Sequence, residues 1–151
     1  MDEYFYEVEL YWKSGKTGVL NSHGLKEIEV LSPLKSPKEK KDKWTPEHLL
    51  AASVSACFMN TYLEIAELHE LDLMVYHSQC FLKLENINGK YKATEILLRP
   101  IIKLTNSSSM LKAVQCVEEA EKISPIKNSI KMNVEVHPKF EYLHTYLKSK
   151  A

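Results

Sequence analysis

The chain of 151 residues has no excess of charge of either sign, because its 20 basic and 20 acidic side chains cancel. Net charge therefore singles out no polyanionic partner, and the aromatic residues are not interleaved with basic ones as in nucleic-acid-binding surfaces. Glycine is scarce, with four in the whole chain. Gly15 and Gly18 fall in a hairpin pattern with no helix after it, so they form no phosphate-binding loop. The three cysteines are an odd number without paired spacing, which favours reduced thiols and a cytoplasmic setting. The six histidines are scattered. His77 and Cys80 are three apart on a strand and so face opposite ways, leaving no metal-ligating set. No serine lies in a nucleophile elbow. The longest uncharged run is about 15 residues and contains Ser, Asn and Thr, too short and too polar to cross a bilayer. The opening MDEYFYEVEL is acidic and lacks the basic-then-apolar pattern of a signal peptide. Repeats and low-complexity tracts are absent, and the length suits a single domain over residues 1–151 with a real core.

What the sequence does have is one long apolar helix pattern, Thr45 to Leu71 (TPEHLLAASVSACFMNTYLEIAELHEL). The Thr45 hydroxyl can cap the helix, and Pro46 suits the first position, where no amide hydrogen is needed. Glu47 follows in the first turn, where its charge meets the positive end of the dipole. Leu49 to Met59 carries small or apolar residues all round, which predicts burial on every side. Beyond Thr61 the pattern becomes amphipathic, with Leu63, Ala66 and Leu68 opposed to Glu64, Glu67 and Glu70. Cys57 stands near the middle. A cysteine inside a buried helix is ordinarily a small hydrophobe, so its chemistry has to be argued from its neighbours.

Around this helix the chain reads as short strands. Tyr4 to Lys13 alternates apolar and charged residues, Thr17 to Leu20 is a short strand, and Leu25 to Leu31 alternates again. With turns at Ser14-Gly15-Lys16 and Asn21-Ser22-His23-Gly24, these predict a three-stranded antiparallel meander. Ser32 to Trp44 is a loop broken by Pro33 and Pro37, in which five lysines outweigh Glu39 and Asp42. It is either a solvated connector or an anion-attracting rim beside the helix start. Leu73 to Glu85 and Tyr91 to Leu104 form a long hairpin around Asn86-Ile87-Asn88-Gly89, with Cys80 facing the core and Pro100 marking an edge or bulge. Ser107 to Ile123 is a second helix whose stripe is Met110, Ala113, Val114, Val117 and Ala120, with Cys116 at its border. Ile130 to Val136 is a last strand, and the tail is ambiguous. The order βββ-α-ββ-α-β, mostly antiparallel around a long buried central helix, predicts an α+β domain with helices on sheet.

The segment TPEHLLAASVSACF resembles the central-helix motif of the OsmC/Ohr family of thiol-dependent hydroperoxide reductases. In that family a Pro-Glu pair opens the helix and the reactive cysteine lies ten residues after the Glu, a spacing that Glu47 and Cys57 keep. Upstream, SGKTGVLNSHG resembles the family's first hairpin, with a Gly-Arg-x-Gly turn. Downstream, AEKISPIKNSIKMNVEV resembles the end of the second helix and the last strand, where the family has Cys-Pro. Two departures stand out. Lys16 occupies the place of the turn arginine, and Ser124, before Pro125, that of the second, resolving cysteine.

The resemblance implies an OsmC-like fold, an intertwined homodimer with its site at the interface, and reduction of organic hydroperoxides in oxidative-stress defence. No cofactor is implied, only an external thiol or dithiol reductant, and neither nucleic acid nor membrane is a partner. Cys57 would be the nucleophile, Lys16 would hold the thiolate and polarise the peroxide, and Glu47 would orient Lys16. Lysine keeps the charge of the family's arginine but not its planar fork. Glu47 and Cys57 are about 15 Å apart along one helix, so another segment or chain must complete a site that joins them. Without a resolving cysteine, an external thiol has to meet the sulfenic acid formed at Cys57. Cys116 lies about 12 Å along its helix from Ser124. The alternative reading is a degenerate, non-catalytic dimer that binds a small apolar ligand or senses redox state.

Overall fold

A computed structural model describes residues 3–31 and 43–143, which fall into two compact units divided after Leu50. The lysine-rich loop over 32–42 and the tail beyond Leu143 lie outside the described residues.

The first unit carries an antiparallel meander of β1 (Glu9–Ser14), β2 (Thr17–Asn21) and β3 (Ile28–Leu31). Ser14 pairs with Thr17 around the Gly15-Lys16 turn, and Gly15 supplies the positive φ of 52° that the tight turn needs. At Gly18 a Cβ would lie 2.9 Å from Leu10 Cδ1 and 3.2 Å from the Tyr11 carbonyl oxygen, so a larger residue would make Leu10 shift. The first strand is shorter than its alternation predicts. Pairing stops at Glu9 with Asn21 because β2 ends there in the Asn21–Gly24 turn. The residues before Glu9 therefore have no ladder partner among the described residues, and Tyr4, Phe5, Tyr6 and Val8 are 63 to 92% exposed.

Helix α1 (Pro46–Leu68) starts as its sequence dictates. The His48 amide donates to Thr45 Oγ1 at 3.3 Å, and Leu49 N–H donates to the Thr45 carbonyl at 3.0 Å. Burial on every side is not found. Ala51, Val54, Phe58, Thr61, Tyr62, Ile65 and Ala66 are buried, while Ser53, Ala56, Asn60, Glu64 and Glu67 form an exposed stripe. The stripe was hidden in the sequence because small residues tolerate either environment; only its Glu64 and Glu67 end announces itself.

The second unit is a sheet with helices on one face. Strands β4 (Leu73–Ile87) and β5 (Lys90–Leu104) form the long antiparallel hairpin, turned by Asn88 and Gly89 at φ 53° and 79°. Strand β5 is central. Its other edge pairs in parallel with β6 (Asn133–Val136) at Glu95–Leu98 and with β7 (Lys139–Tyr142) at Ile101–Leu104. Pro100 is thus on an inner strand, not an edge. It is tolerated because it falls in the gap where the outer ladder passes from β6 to β7, so its missing amide interrupts nothing on that side.

The crossover contains a 3-10 turn (Ser107–Ser109), α2 (Met110–Ile123) and the five-residue α3 (Pro125–Ser129). It carries the chain back across the sheet, and this makes β6 and β7 parallel to β5. Neither α3 nor β7 was expected. Each is too short for periodicity to separate it from a loop. The core joins α1, β5 and α2 through Phe58, Tyr62, Leu98, Ile102, Cys116 and Ala120, all fully buried, with Cys80, Tyr76 and Phe140 packed against them. Cys116 is therefore inside the apolar stripe rather than at its border, and Cys80 faces the core as its alternation predicts.

Burial pushes the Tyr76 phenol from 10.0 up to about 12, against a weaker opposing pull from Ser78. Burial raises Tyr62 further, helped by Cys116. In the native state both phenols hold their protons above the pH at which unfolded tyrosines lose them. The Tyr76 contribution is whole below pH 10.0 and is lost as pH rises through about 12. Urea unfolding at stepped alkaline pH should show stability falling across that window, and Tyr76→Phe should fall less steeply than the parent.

Candidate functional site

Cys57 is a half-buried free thiol, flanked on its helix by the fully buried Phe58. Its sulfur meets the junction between α2 and α3. The Ser124 hydroxyl donates to Cys57 Sγ at 3.5 Å and the Ile126 backbone N–H donates to the same sulfur at 3.4 Å. Two polar donors thus converge on one sulfur. Proline shapes the junction. Pro125 takes the first position of α3, where no N–H is called for, and Ser124 sits before it as both the last cap of α2 and the first cap of α3.

The position expected to hold a resolving thiol is thus a serine in direct contact with Cys57. Cys116 is sealed in the core, with its thiol pushed up by burial and by Glu119. Cys80 is likewise raised by burial. A protonated buried thiol is a poor nucleophile, so neither cysteine replaces the missing one. The part played by Ser124 and the Ile126 amide escaped sequence reasoning. The Ser-Pro pair, a helix-start signature, was the available signal.

Near its front edge α1 is anchored by the contact of Ser55 Oγ with Ser78 Oγ at 2.9 Å. One turn beyond Cys57, Thr61 Oγ1 donates to the Cys57 carbonyl at 3.0 Å. Together they leave the backbone around Cys57 well tied.

Lys16 and Glu47 belong to the first unit. Lys16 lines an apolar cavity of 570 Å³ with Leu10, Trp12, Val30, Leu31 and Pro46. Two other cations of this unit, Lys13 and Lys43, are both engaged by Glu29, with Lys43 at 3.1 Å. Lys13 and Lys43 hold the Glu29 carboxyl below the usual carboxylate range. Glu47 Oε2 is buried with no hydrogen-bond partner among the described residues, and no ion pair joins it to Lys16 among them. The chain's single arginine, Arg99, stacks over Phe81 at 5.3 Å on the sheet of the second unit. No group of three or more His, Cys, Asp or Glu with metal-binding geometry occurs among the described residues.

The sequence matches the family model for OsmC-like protein over residues 37–139. This chain belongs to the OsmC-like family. Solved structures share its fold at low identity. An OsmC-like protein of unknown function from Vibrio cholerae superposes with a TM-score of 0.78 at 21% identity, covering 92% of this chain and 100% of that one. An organic hydroperoxide resistance protein from Elizabethkingia anophelis gives 0.71 at 23%, covering 94% and 100%. The organic hydroperoxide resistance protein OhrB of Bacillus subtilis gives 0.66 at 20%, covering 93% and 98%. No curated protein matches the sequence.

The environments of the three thiols predict an order of reactivity. Brief iodoacetamide treatment at mildly alkaline pH, followed by peptide mapping, should label Cys57 while leaving Cys116 unmodified until the protein is unfolded.

Proposed function

We propose that this protein reduces organic hydroperoxides with thiols as electron donors, using Cys57 as the peroxidatic cysteine. The observation that carries the reading is the convergence of the Ser124 hydroxyl and the Ile126 amide on Cys57 Sγ, at 3.5 and 3.4 Å. Its family setting supports it, including relatives described as organic hydroperoxide resistance proteins.

The thiolate attacks the distal peroxide oxygen, the O–O bond breaks, and the departing alkoxide takes a proton to leave as the alcohol. Sulfur keeps one oxygen as sulfenic acid. An external thiol then attacks this sulfur and water leaves, giving a mixed disulfide. A second thiol attacks the mixed disulfide, releasing a disulfide and restoring Cys57. In this reading Lys16 supplies positive charge to the thiolate and the peroxide, and Glu47 orients Lys16. The protein acts in the cytoplasm as an intertwined homodimer with the site at the interface. The exposed apolar residues from Tyr4 to Val8 and the unpartnered Glu47 oxygen support a second copy as the missing neighbour.

A second reading has one observation in its favour. The apolar cavity around Trp12 and Lys16 suits a small apolar ligand carrying an anionic group, bound without turnover.

Stopped-flow reaction with cumene hydroperoxide separates the two. Fast oxidation of the parent, reduced in Cys57→Ser to the rate of ordinary thiols, supports the peroxidase. Parent oxidation no faster than that of a free thiol leaves the binding dimer. Lys16→Met should slow oxidation about tenfold or more, the scale for losing a charge-assisted contact. Lys16→Arg should retain or raise the rate. Ser124→Cys puts a second sulfur beside Cys57, and one equivalent of peroxide should then yield an internal disulfide, read by intact mass and thiol count.

A further inference from the structure

We propose that Ser124 is a further catalytic residue, whose hydroxyl donates a hydrogen bond to the reacting sulfur of Cys57 and holds its thiolate in line for attack. The inference deepens the peroxidase reading and rests on Cys57 being the reactive thiol.

The direction of the hydroxyl carries the argument. Ser124 occupies the first cap of α3 with an extended backbone, φ −60° and ψ 112°. A serine there ordinarily turns its oxygen inward and accepts the amide of the second or third helical residue. Ser124 makes no such side-chain bond. The amide it would cap, that of Ile126, is given to Cys57 Sγ at 3.4 Å, and the serine O–H is turned to the same sulfur at 3.5 Å. Sulfur has taken over the capping role, and the hydroxyl has become a donor instead of an acceptor.

Burial fixes that choice. Ser124 is fully buried. Its backbone is already committed, the N–H to the Ala120 carbonyl at 2.9 Å and the carbonyl to the Asn128 amide at 3.1 Å. A hydroxyl has one proton to donate, and a buried donor without a partner is costly. Cys57 Sγ is the acceptor the structure provides, and it accepts better as thiolate than as thiol. The contact therefore strengthens as the nucleophile forms, which is the condition for a group to speed the chemistry rather than only the fold. The Ile126 amide reaches the same sulfur from the start of the five-residue helix that Ser124 caps.

The test compares alkylation of Cys57 by iodoacetamide, at neutral pH and resolved by peptide mapping, in the parent, Ser124→Ala and Ser124→Thr. Loss of the donor should slow labelling of Cys57 about tenfold, the scale of a hydrogen bond to a charged group. Threonine, which keeps the hydroxyl, should restore it, and labelling of Cys80 should not change. Ser124→Thr against Ser124→Val repeats the comparison at nearly constant side-chain volume if the alanine variant does not fold. Equal Cys57 rates with and without the hydroxyl overturn the proposal. Because alkylation involves no peroxide, a protein that fails to reduce hydroperoxides but shows this hydroxyl dependence refutes the peroxidase and keeps the role of Ser124.

Discussion

The core of the second unit seats the Cys57 sulfur on the start of α3. A helix start leaves amide groups that must find acceptors. The usual acceptor, the side chain of the cap residue, has turned away, so a sulfur from another helix takes its place. Both sides of the contact are held firmly. Phe58, beside Cys57, is fully buried, and the Ser124 backbone is bonded on both sides. Moving the sulfur off its donors would mean disturbing the packing of α1 against β5 and α2. The position of the thiol is thus inherited from the core.

The same packing sets the surroundings of the three cysteines. All three lie in or beside one apolar cluster. Cys116 and Cys80 have apolar surroundings that keep the proton on sulfur. Cys57 is the one that receives hydrogen bonds from O–H and N–H donors. Distance along the sequence has no bearing on this. What distinguishes Cys57 from the other two is that the facing element offers it donors rather than only apolar groups.

Much of this was legible in the chain. The Thr45-Pro46-Glu47 start, the hairpin turns and the stripe of α2 obey local rules that need no tertiary partner, and they were found within a few residues. The elements that escaped depend on tertiary context. Residues Tyr4 to Val8 alternate like a strand, but a strand needs an available edge, and β2 is used up. The exposed stripe Ser53, Ala56 and Asn60 is invisible because small residues carry no hydropathy signal. Pro100 reads as an edge residue, and only the handover between β6 and β7 shows how an inner strand accommodates it. At the candidate site, spacing and resemblance single out Cys57 with Lys16 and Glu47 and mark Ser124 as the place of a missing cysteine, whereas the contact of the Ser124 hydroxyl with Cys57 Sγ cannot be read from spacing at all.

A serine in place of a thiol also changes where the proposed reaction cycle must go. Serine oxygen cannot form a disulfide, Cys116 is enclosed in the core, and burial pushes both Cys116 and Cys80 thiols up. An oxidised Cys57 therefore has no sulfur partner within its own unit, and the second half of the cycle is turned outward. The helix surface permits this. Four residues before, one before and three after Cys57 stand Ser53, Ala56 and Asn60, all exposed and all short. Long side chains there would shield the sulfur from an incoming thiol; these leave an approach along the helix. The small, uncharged residues that make the middle of α1 look like an ordinary core helix are also those that would let a second molecule approach Cys57.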